Sequence, residues 1–253
     1  MTKGEVSELT WLADCDGHTI SFLTKLAFHD VSFRQGLTLI GIEIPLLDPD
    51  AHNQLGTSEE RATLLEREEA ITKSLSQWKA IWVSHTTWKG VRTVYYAANR
   101  TKEDMPAIRE AVKSQMPEYR DLEISAYSWE QYDEWLYPRE SDFRWASESD
   151  YCEVREKRGD VLDVERQVDH WLFFTTQGDR ENAKKRALEL GFKVLESSDE
   201  PANDSEHPWE LNVAHFSDVR VNTMFKFVTE LTELARSFGG IHDGWGAEIQ
   251  TRQ

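Results

Sequence analysis

A densely charged stretch divides this sequence into two blocks with regular apolar patterns. In segment 138–168, 15 of the 31 side chains are charged and apolar side chains are sparse. On either side of it, apolar residues alternate with polar ones over short runs or recur every three to four positions, which predicts strands and helices respectively. The 253-residue sequence therefore predicts two domains, 1–140 and 168–253, joined by a charged connector, 141–167, that is partly helical.

The N-terminal block contains two pairs of strand-like runs, each interrupted by a turn sequence. Asp14-Cys-Asp-Gly17 and Lys89-Gly90 are typical of tight hairpins. Between the hairpins, Leu37–Pro45 predicts a strand, and a capping sequence at Thr57–Glu60 begins a predicted helix. A second helix at about 103–116 and a strand at 122–126 follow. The block is predicted to be an antiparallel sheet with two helices and an extra hairpin.

The C-terminal block repeats a simpler order of elements. The predicted elements are a strand at 168–174, a helix at 179–190, strands at 192–195 and 209–213, a helix at 221–238 and a final strand within 241–249. The order βαββαβ is satisfied by a ferredoxin-like two-layer sandwich, in which two helices cover one face of a four-stranded antiparallel sheet. The predicted fold class of the whole chain is α+β.

The charge of the chain excludes one class of partner. There are 29 Lys and Arg against 46 Asp and Glu, so the formal net charge is -17. Binding of nucleic acid through its phosphates depends on Lys and Arg, and no segment of this chain is basic overall. The longest apolar run is too short for a bilayer, the N-terminal residues lack the apolar core of a signal peptide, and only two cysteines occur. These features predict a cytoplasmic protein that binds neither a membrane nor, directly, a nucleic acid.

The C-terminal block resembles a known family of regulators. Asp169–Phe174 and, above all, the run Gly239–Trp245 are similar to the RraB family, the regulators of ribonuclease E activity. That family's sequences end in Gly-Gly-x-Tyr-Asp-Gly-Trp, and His242 here replaces the usual aromatic residue. The resemblance covers about residues 168–250. It implies a non-enzymatic bacterial protein that binds the scaffold of an RNA-processing endoribonuclease and inhibits it.

The N-terminal block resembles a second family. The run Val91–Tyr96, the aromatic residues Trp129 and Tyr132, and Leu136–Pro138 are similar to the domain-of-unknown-function family numbered 695. The resemblance covers about residues 5–140. Because that family has no assigned activity, it implies a fold but no function for the block.

Acidic residues are concentrated between two predicted strands of the C-terminal block. Segment 196–210 contains six acids and no Lys or Arg, namely Glu196, Asp199, Glu200, Asp204, Glu206 and Glu210. We interpret this acidic segment as a docking surface for a basic protein, whose approach it would steer. The alternative is a solvated loop that keeps the protein soluble. Asp243 and Trp245 are further protein-binding candidates, with a purely structural role as the alternative.

No catalytic, cofactor or metal site is predicted. The sequence contains no nucleophile elbow, P-loop, HExxH or EF-hand motif. His170, His215 and His242 fall on neighbouring predicted strands, but strand alternation predicts that His242 points away from the side on which Asp243 and Trp245 lie. The sequence thus predicts a protein-binding regulator of unknown oligomeric state. Two alternatives stay open: an immunity-type protein that neutralises a basic toxin, and a hydrolase that uses carboxylates.

Overall fold

The structure is a computed structural model that describes residues 8–100, 102–117, 119, 122–195, 200–201 and 206–251. Contacts between residues divide the chain into two compact units, Met1–Phe143 and Arg144–Gln253. Each unit contains one antiparallel sheet with helices, so the predicted α+β fold class is confirmed. Within the described part of the chain, every helix is too short or too polar to cross a bilayer.

The N-terminal unit is built on a six-stranded sheet. Its strands are β1 (Glu8–Cys15), β2 (His18–Lys25), β3 (Thr38–Pro45), β4 (Ile81–Trp88), β5 (Val91–Ala98) and β6 (Glu123–Tyr127). They lie in the order β1-β2-β4-β5-β3-β6, and every neighbouring pair is antiparallel. The two predicted hairpins are β1–β2 and β4–β5.

Both hairpin turns place two consecutive residues in the left-handed backbone region. Asp16 and Gly17 have φ values of 54° and 74°, and Lys89 and Gly90 have values of 48° and 75°. Positive φ at both central residues matches the right-handed twist of the flanking strands, which is why such turns favour Gly at the second position. The turn sequences therefore fix the register of both hairpins.

Two helices cover one face of this sheet. They are α1 (Ser58–Ser74) and α2 (Met105–Gln115). Their apolar side chains, Leu64, Ile71, Ile108 and Val112 among them, form a fully buried core with the inward residues of β3 and β5. On the other face of the sheet, α3 (Trp129–Gln131) continues into a π-helical turn, Tyr132–Leu136, whose end residues lie in a second core cluster. This second cover was not predicted from the sequence.

Most of the predicted charged connector, 141–167, is the helix α4 (Glu140–Lys157). The division between the two units falls near the start of this helix. Cys152 on α4 lies in a core cluster with Val168 and Met224 of the C-terminal unit. Beyond α4, the carboxylate of Asp160 is buried between the guanidinium groups of Arg155 and Arg166.

The C-terminal unit is a four-stranded sheet with the order β10-β7-β9-β8. Its elements are β7 (Arg166–Phe174), α5 (Gln177–Glu189), β8 (Lys193–Val194), β9 (Trp209–Ser217), α6 (Val221–Ser237) and β10 (Gly240–Ala247). The chain order βαββαβ and this strand order are those of the ferredoxin-like sandwich, as predicted. Apolar residues of α5 and α6 pack on the inner face, against Leu172, Phe174 and Leu211.

Candidate protein-binding surface

The acidic segment 196–210 follows β8 and includes the first two residues of β9. Glu196, Asp199 and Asp204 fall outside the described residues. Glu200 and Glu206 are exposed, and Glu210 is half-buried at the second position of β9. Among the described residues, neither Glu206 nor Glu210 forms an ion pair with a Lys, Arg or His side chain. The charge of these two carboxylates is therefore not neutralised within the described fold.

A β-bulge at Asp243 determines where the residues of β10 point. The pairing of β10 with β7 shifts between His242, which lies opposite Leu172, and Gly244, which lies opposite Trp171. Gly244 has a φ of 145°, a backbone conformation that L side chains rarely adopt. Because the extra residue breaks the alternation, His242 and Trp245 both face inward while Asp243 is exposed. The prediction that His242 and Trp245 point to opposite sides was wrong for this reason.

Trp245 is a core residue. Its side chain is 8% exposed and lies in a cluster with Cys152, Val168 and Met224. The indole N–H donates a hydrogen bond of 2.6 Å to the buried carboxylate of Glu148 on α4. Burial raises the pKa of Glu148, which the hydrogen bond from Trp245 partly offsets. The position of Trp245 favours the structural alternative over a direct contact with a partner.

The three histidines of the C-terminal unit form one buried chain of hydrogen bonds. His170 Nδ1 lies 3.1 Å from His242 Nε2, and His170 Nε2 lies 3.1 Å from His215 Nδ1. His215 Nε2 is 2.9 Å from the hydroxyl of Ser217, which donates to the carbonyl oxygen of Asp218. The chain crosses β10, β7 and β9 diagonally on their inner face.

The Ser217 end of this chain determines the tautomer of His215. Because a carbonyl oxygen only accepts, the Ser217 hydroxyl gives its proton to Asp218 and accepts one from His215 Nε2. A neutral His215 then has its proton on Nε2 and accepts at Nδ1 from His170 Nε2. Burial lowers the pKa of His215 and of His242 to about 4, and it also lowers the pKa of His170.

This arrangement differs from a metal site. Metal-binding nitrogens converge on one point, whereas His170 directs one nitrogen to each neighbouring ring. Among the described residues, no group of three or more His, Cys, Asp or Glu side chains is arranged to hold a metal ion.

Glu43 and Glu148 both have a raised pKa, and they lie in different units. Burial raises the pKa of Glu43 on β3, with a smaller contribution from the charge of Glu123, its cross-strand neighbour. The other group is Glu148, which accepts the hydrogen bond from Trp245.

A groove of about 510 Å³ in the C-terminal unit is lined in part by Asp160. Burial works to raise the pKa of Asp160, but hydrogen bonds from Arg166, Gln250 N–H and Arg155 hold it below the usual value. This geometry gives no support to a pair of catalytic acids.

The outward face of the C-terminal sheet was not predicted as a site from the sequence. There Trp171, Phe216 and Ile241 are exposed on three adjacent strands. The signal was available in β7, where Trp171 stands between His170 and Leu172, two residues that both face the core. Alternation alone places Trp171 on the solvent side.

Comparison with known families agrees with the division of the chain. Residues 10–137, just over half of the sequence, match the model of a family of unknown function, DUF695, and the chain belongs to this family. Residues 145–247 match the model described as "Regulator of ribonuclease activity B". Both resemblances inferred from the sequence are therefore confirmed, and the second match begins within α4.

Comparison with individual proteins adds no functional assignment. No curated protein is significantly similar to the chain. A solved structure, "Crystal Structure of an Unknown Protein from Galdieria sulphuraria", is similar at 13% sequence identity. The similarity covers 85% of this chain and 98% of that one, with a TM-score of 0.22.

Proposed function

We propose that this chain is a non-enzymatic regulator that binds a basic protein, an RNA-processing endoribonuclease of the bacterial cytoplasm, and lowers its activity. The observation that carries the proposal is the match of residues 145–247 to the regulators of ribonuclease activity B. The match supports a regulatory rather than a catalytic role for the C-terminal unit. The role of the N-terminal unit lies outside this proposal, because its family has no assigned function.

The acidic segment supplies the mode of recognition in this proposal. The net charge of -17 attracts a basic protein from a distance. The six acids of this segment, which contribute to that charge, then guide the protein to the segment. Exposed charges at the rim of an interface act chiefly on the association rate and its salt dependence. Apolar contacts then determine how long the complex lasts.

The experiment compares two variants that carry the same net charge. In the first, Glu and Asp in segment 196–210 are replaced by Gln and Asn. In the control, six exposed acids of the N-terminal unit are replaced instead: Glu59, Glu66, Glu69, Glu110, Glu130 and Glu134. Association with the purified endoribonuclease of the same organism is measured at low and at high salt.

The proposal expects a specific difference between these variants. The segment variant associates about tenfold more slowly than the unaltered chain at low salt, while the control changes the rate by much less. At high salt, screening brings the three rates together. Equal rates for both variants at low salt would remove the acidic segment from the mechanism, and no binding by the unaltered chain would overturn the proposal.

A further inference from the structure

In the described part of the C-terminal unit, no helix packs on the outward face of the sheet. Helices α5 and α6 pack on the inner face. Cys152 of α4 also packs on the inner face, in the cluster with Trp245. On the outward face, cross-strand register sets Trp171 opposite Asn212 and Gly244, and sets Phe173 opposite Glu210 and Ile241. We call the outward side chains of β10, β7 and β9 the outer sheet face.

Large apolar groups are exposed on the outer sheet face. Phe216 is 69% exposed, Ile241 is 45% exposed and Trp171 is 36% exposed. The indole of Trp171 lies over Gly246 of the neighbouring strand, where an added Cβ would come within 3.0 Å of the ring. Because Gly246 has no side chain, the indole extends across β10 and leaves an aromatic surface accessible. Phe216 lies opposite Gln167 and Ile241 lies opposite Phe173, six residues farther along β7, with Trp171 between them. The three side chains therefore form an exposed apolar strip across one face of the sheet, and such surfaces mark interaction sites.

The charged groups on the outer sheet face are mostly acidic. Asp169 is two positions from Trp171 on β7, Glu210 lies on β9, and Asp243 is exposed at the bulge of β10. Asp169 accepts a hydrogen bond of 2.8 Å from the side chain of Gln167. The described outward side chains of β10, β7 and β9 include no Lys or Arg, and Lys193 lies beside this face on the edge strand β8. Carboxylates therefore outnumber basic side chains around the aromatic surface, among the described residues.

We propose that the outer sheet face binds an extended, arginine-containing segment of the basic partner. A guanidinium group stacks on the Trp171 indole and donates hydrogen bonds to a carboxylate beside it, Asp169 or Asp243. Aliphatic side chains of the same segment cover Phe216 and Ile241. The inference rests on the proposed function in one respect, which is that the partner is a basic protein.

Arginine fits this surface better than the alternatives do. Its planar guanidinium stacks on an aromatic ring and forms paired hydrogen bonds with a carboxylate, whereas the ammonium group of lysine is a compact, strongly hydrated charge. Exposed aromatics on a four-stranded sheet also bind single-stranded RNA in some folds. Such sites surround the aromatics with basic side chains for the phosphates, and here the surroundings are acidic.

Fluorescence anisotropy tests the inference on the full chain. The probes are a labelled short peptide of alternating arginine and leucine, a lysine–leucine peptide of equal charge, and a labelled single-stranded RNA. The variants are Trp171→Ser, Trp171→Phe and the double change Asp169→Asn with Asp243→Asn. Trp135→Ser is the matched control, because Trp135 is a similarly exposed indole, at 42%, in the N-terminal unit. Circular dichroism confirms that each variant is folded.

The expected affinities distinguish the contribution of the Trp171 ring from that of the Asp169 and Asp243 carboxylates. Trp171→Ser and the double change each weaken binding of the arginine peptide by about tenfold, Trp171→Phe retains most of the affinity, and Trp135→Ser leaves it unchanged. The lysine peptide binds more weakly than the arginine peptide. Unchanged affinity in Trp171→Ser would overturn the inference, and so would tighter binding of RNA than of the arginine peptide.

Binding to the endoribonuclease distinguishes this inference from the proposed function. If the unaltered chain binds the ribonuclease and Trp171→Ser binds it equally well, the outer sheet face is not the contact and the inference fails, while the proposed function stands. If the chain binds the arginine peptide through Trp171 but does not bind the ribonuclease, the proposed function fails and the inference stands.

Discussion

At the scale of single residues, Trp245 has a double role in the C-terminal unit. Its ring fills the core beside Cys152 and Met224, and its N–H provides the hydrogen bond to the buried Glu148 carboxylate. Tyr151 packs against the ring edge-to-face, with 4.8 Å between ring centroids. Removing the indole would therefore leave both a cavity and a buried carboxylate without this donor.

The first prediction concerns Trp245→Ala. We expect this change to lower the free energy of unfolding by about 3–5 kcal/mol, because it deletes a large aromatic group from the core. The exposed Trp135 provides the control, and Trp135→Ala is expected to cost less than about 1 kcal/mol. Unfolding in denaturant measures both. A loss below about 1 kcal/mol for Trp245→Ala would mean that Trp245 is not part of the core.

The histidine chain makes folding of the C-terminal unit sensitive to acid. In the neutral chain each contact between rings contains one proton. A second proton on His215 would place two N–H groups face to face across the contact with His170. The folded state therefore resists protonation, in agreement with the lowered pKa values of all three rings.

The second prediction follows from the sign of these pKa shifts. A histidine with a pKa near 6.5 when unfolded and about 4 when folded binds a proton in the unfolded chain first. Stability is then full above about pH 6.5 and falls as the pH drops toward the folded pKa, by up to about 1.4 kcal/mol per pH unit for each histidine. Denaturant unfolding between pH 7 and pH 5 measures this slope.

Two variants test whether the histidine chain causes the dependence of the free energy of unfolding on pH. His215→Asn is expected to flatten it, and His18→Asn, at an exposed position on β2, is expected to leave it unchanged. An equal slope in His215→Asn and the unaltered chain would show that the acid sensitivity arises elsewhere.

At the scale of elements, the N-terminus of α1 has the predicted capping residue, but the Glu60 side chain has different hydrogen-bond partners from those of a capping box. Thr57 caps the helix as predicted, since its side chain accepts from the N–H of Glu60 at 3.3 Å. In a capping box the Glu60 carboxylate would bond the N–H of the capping residue. It instead accepts from the N–H groups of Leu47 and Asp48, after β3. One side chain thereby ties the helix start to the preceding loop.

The limits of sequence-based prediction are clearest in β10. Turn chemistry and apolar spacing predicted both hairpins, the order of the elements along the chain and the helices α1, α2 and α6, because each of those signals is local. The bulge at Asp243 depends on the pairing of β10 with β7, and pairing is not encoded in the alternation of a single strand. For the same reason the inward position of His242, and with it the histidine chain, could not be predicted.

The third prediction addresses this bulge. We expect Gly244→Ala to lower the free energy of unfolding by about 1–3 kcal/mol, because a side chain at a φ of 145° strains the backbone. Gly178 on α5 is the control, since an added Cβ there would meet only an ordinary contact of 3.8 Å. Gly178→Ala should be neutral or stabilising. Equal effects of the two changes in thermal unfolding would show that Gly244 is not required for the bulge.

At the scale of the whole molecule, charge is the property that restricts the choice of partner. A net charge of -17 repels nucleic acid and favours basic proteins through the same long-range field. An immunity-type protein that neutralises a basic toxin would show the same attraction. The two functions differ in the identity of the protein that is inhibited, so charge alone does not separate them.

The measurement that tests the central claim most directly is RNA cleavage by the purified endoribonuclease of the same organism, with increasing amounts of the full chain. We predict that the cleavage rate falls to a plateau as the complex saturates, and that the Trp135→Ser control inhibits equally well. The loss of inhibition should follow the loss of binding in the variant of segment 196–210 at low salt. A cleavage rate that stays constant at saturating concentrations of the chain would contradict the claim that this protein regulates a ribonuclease.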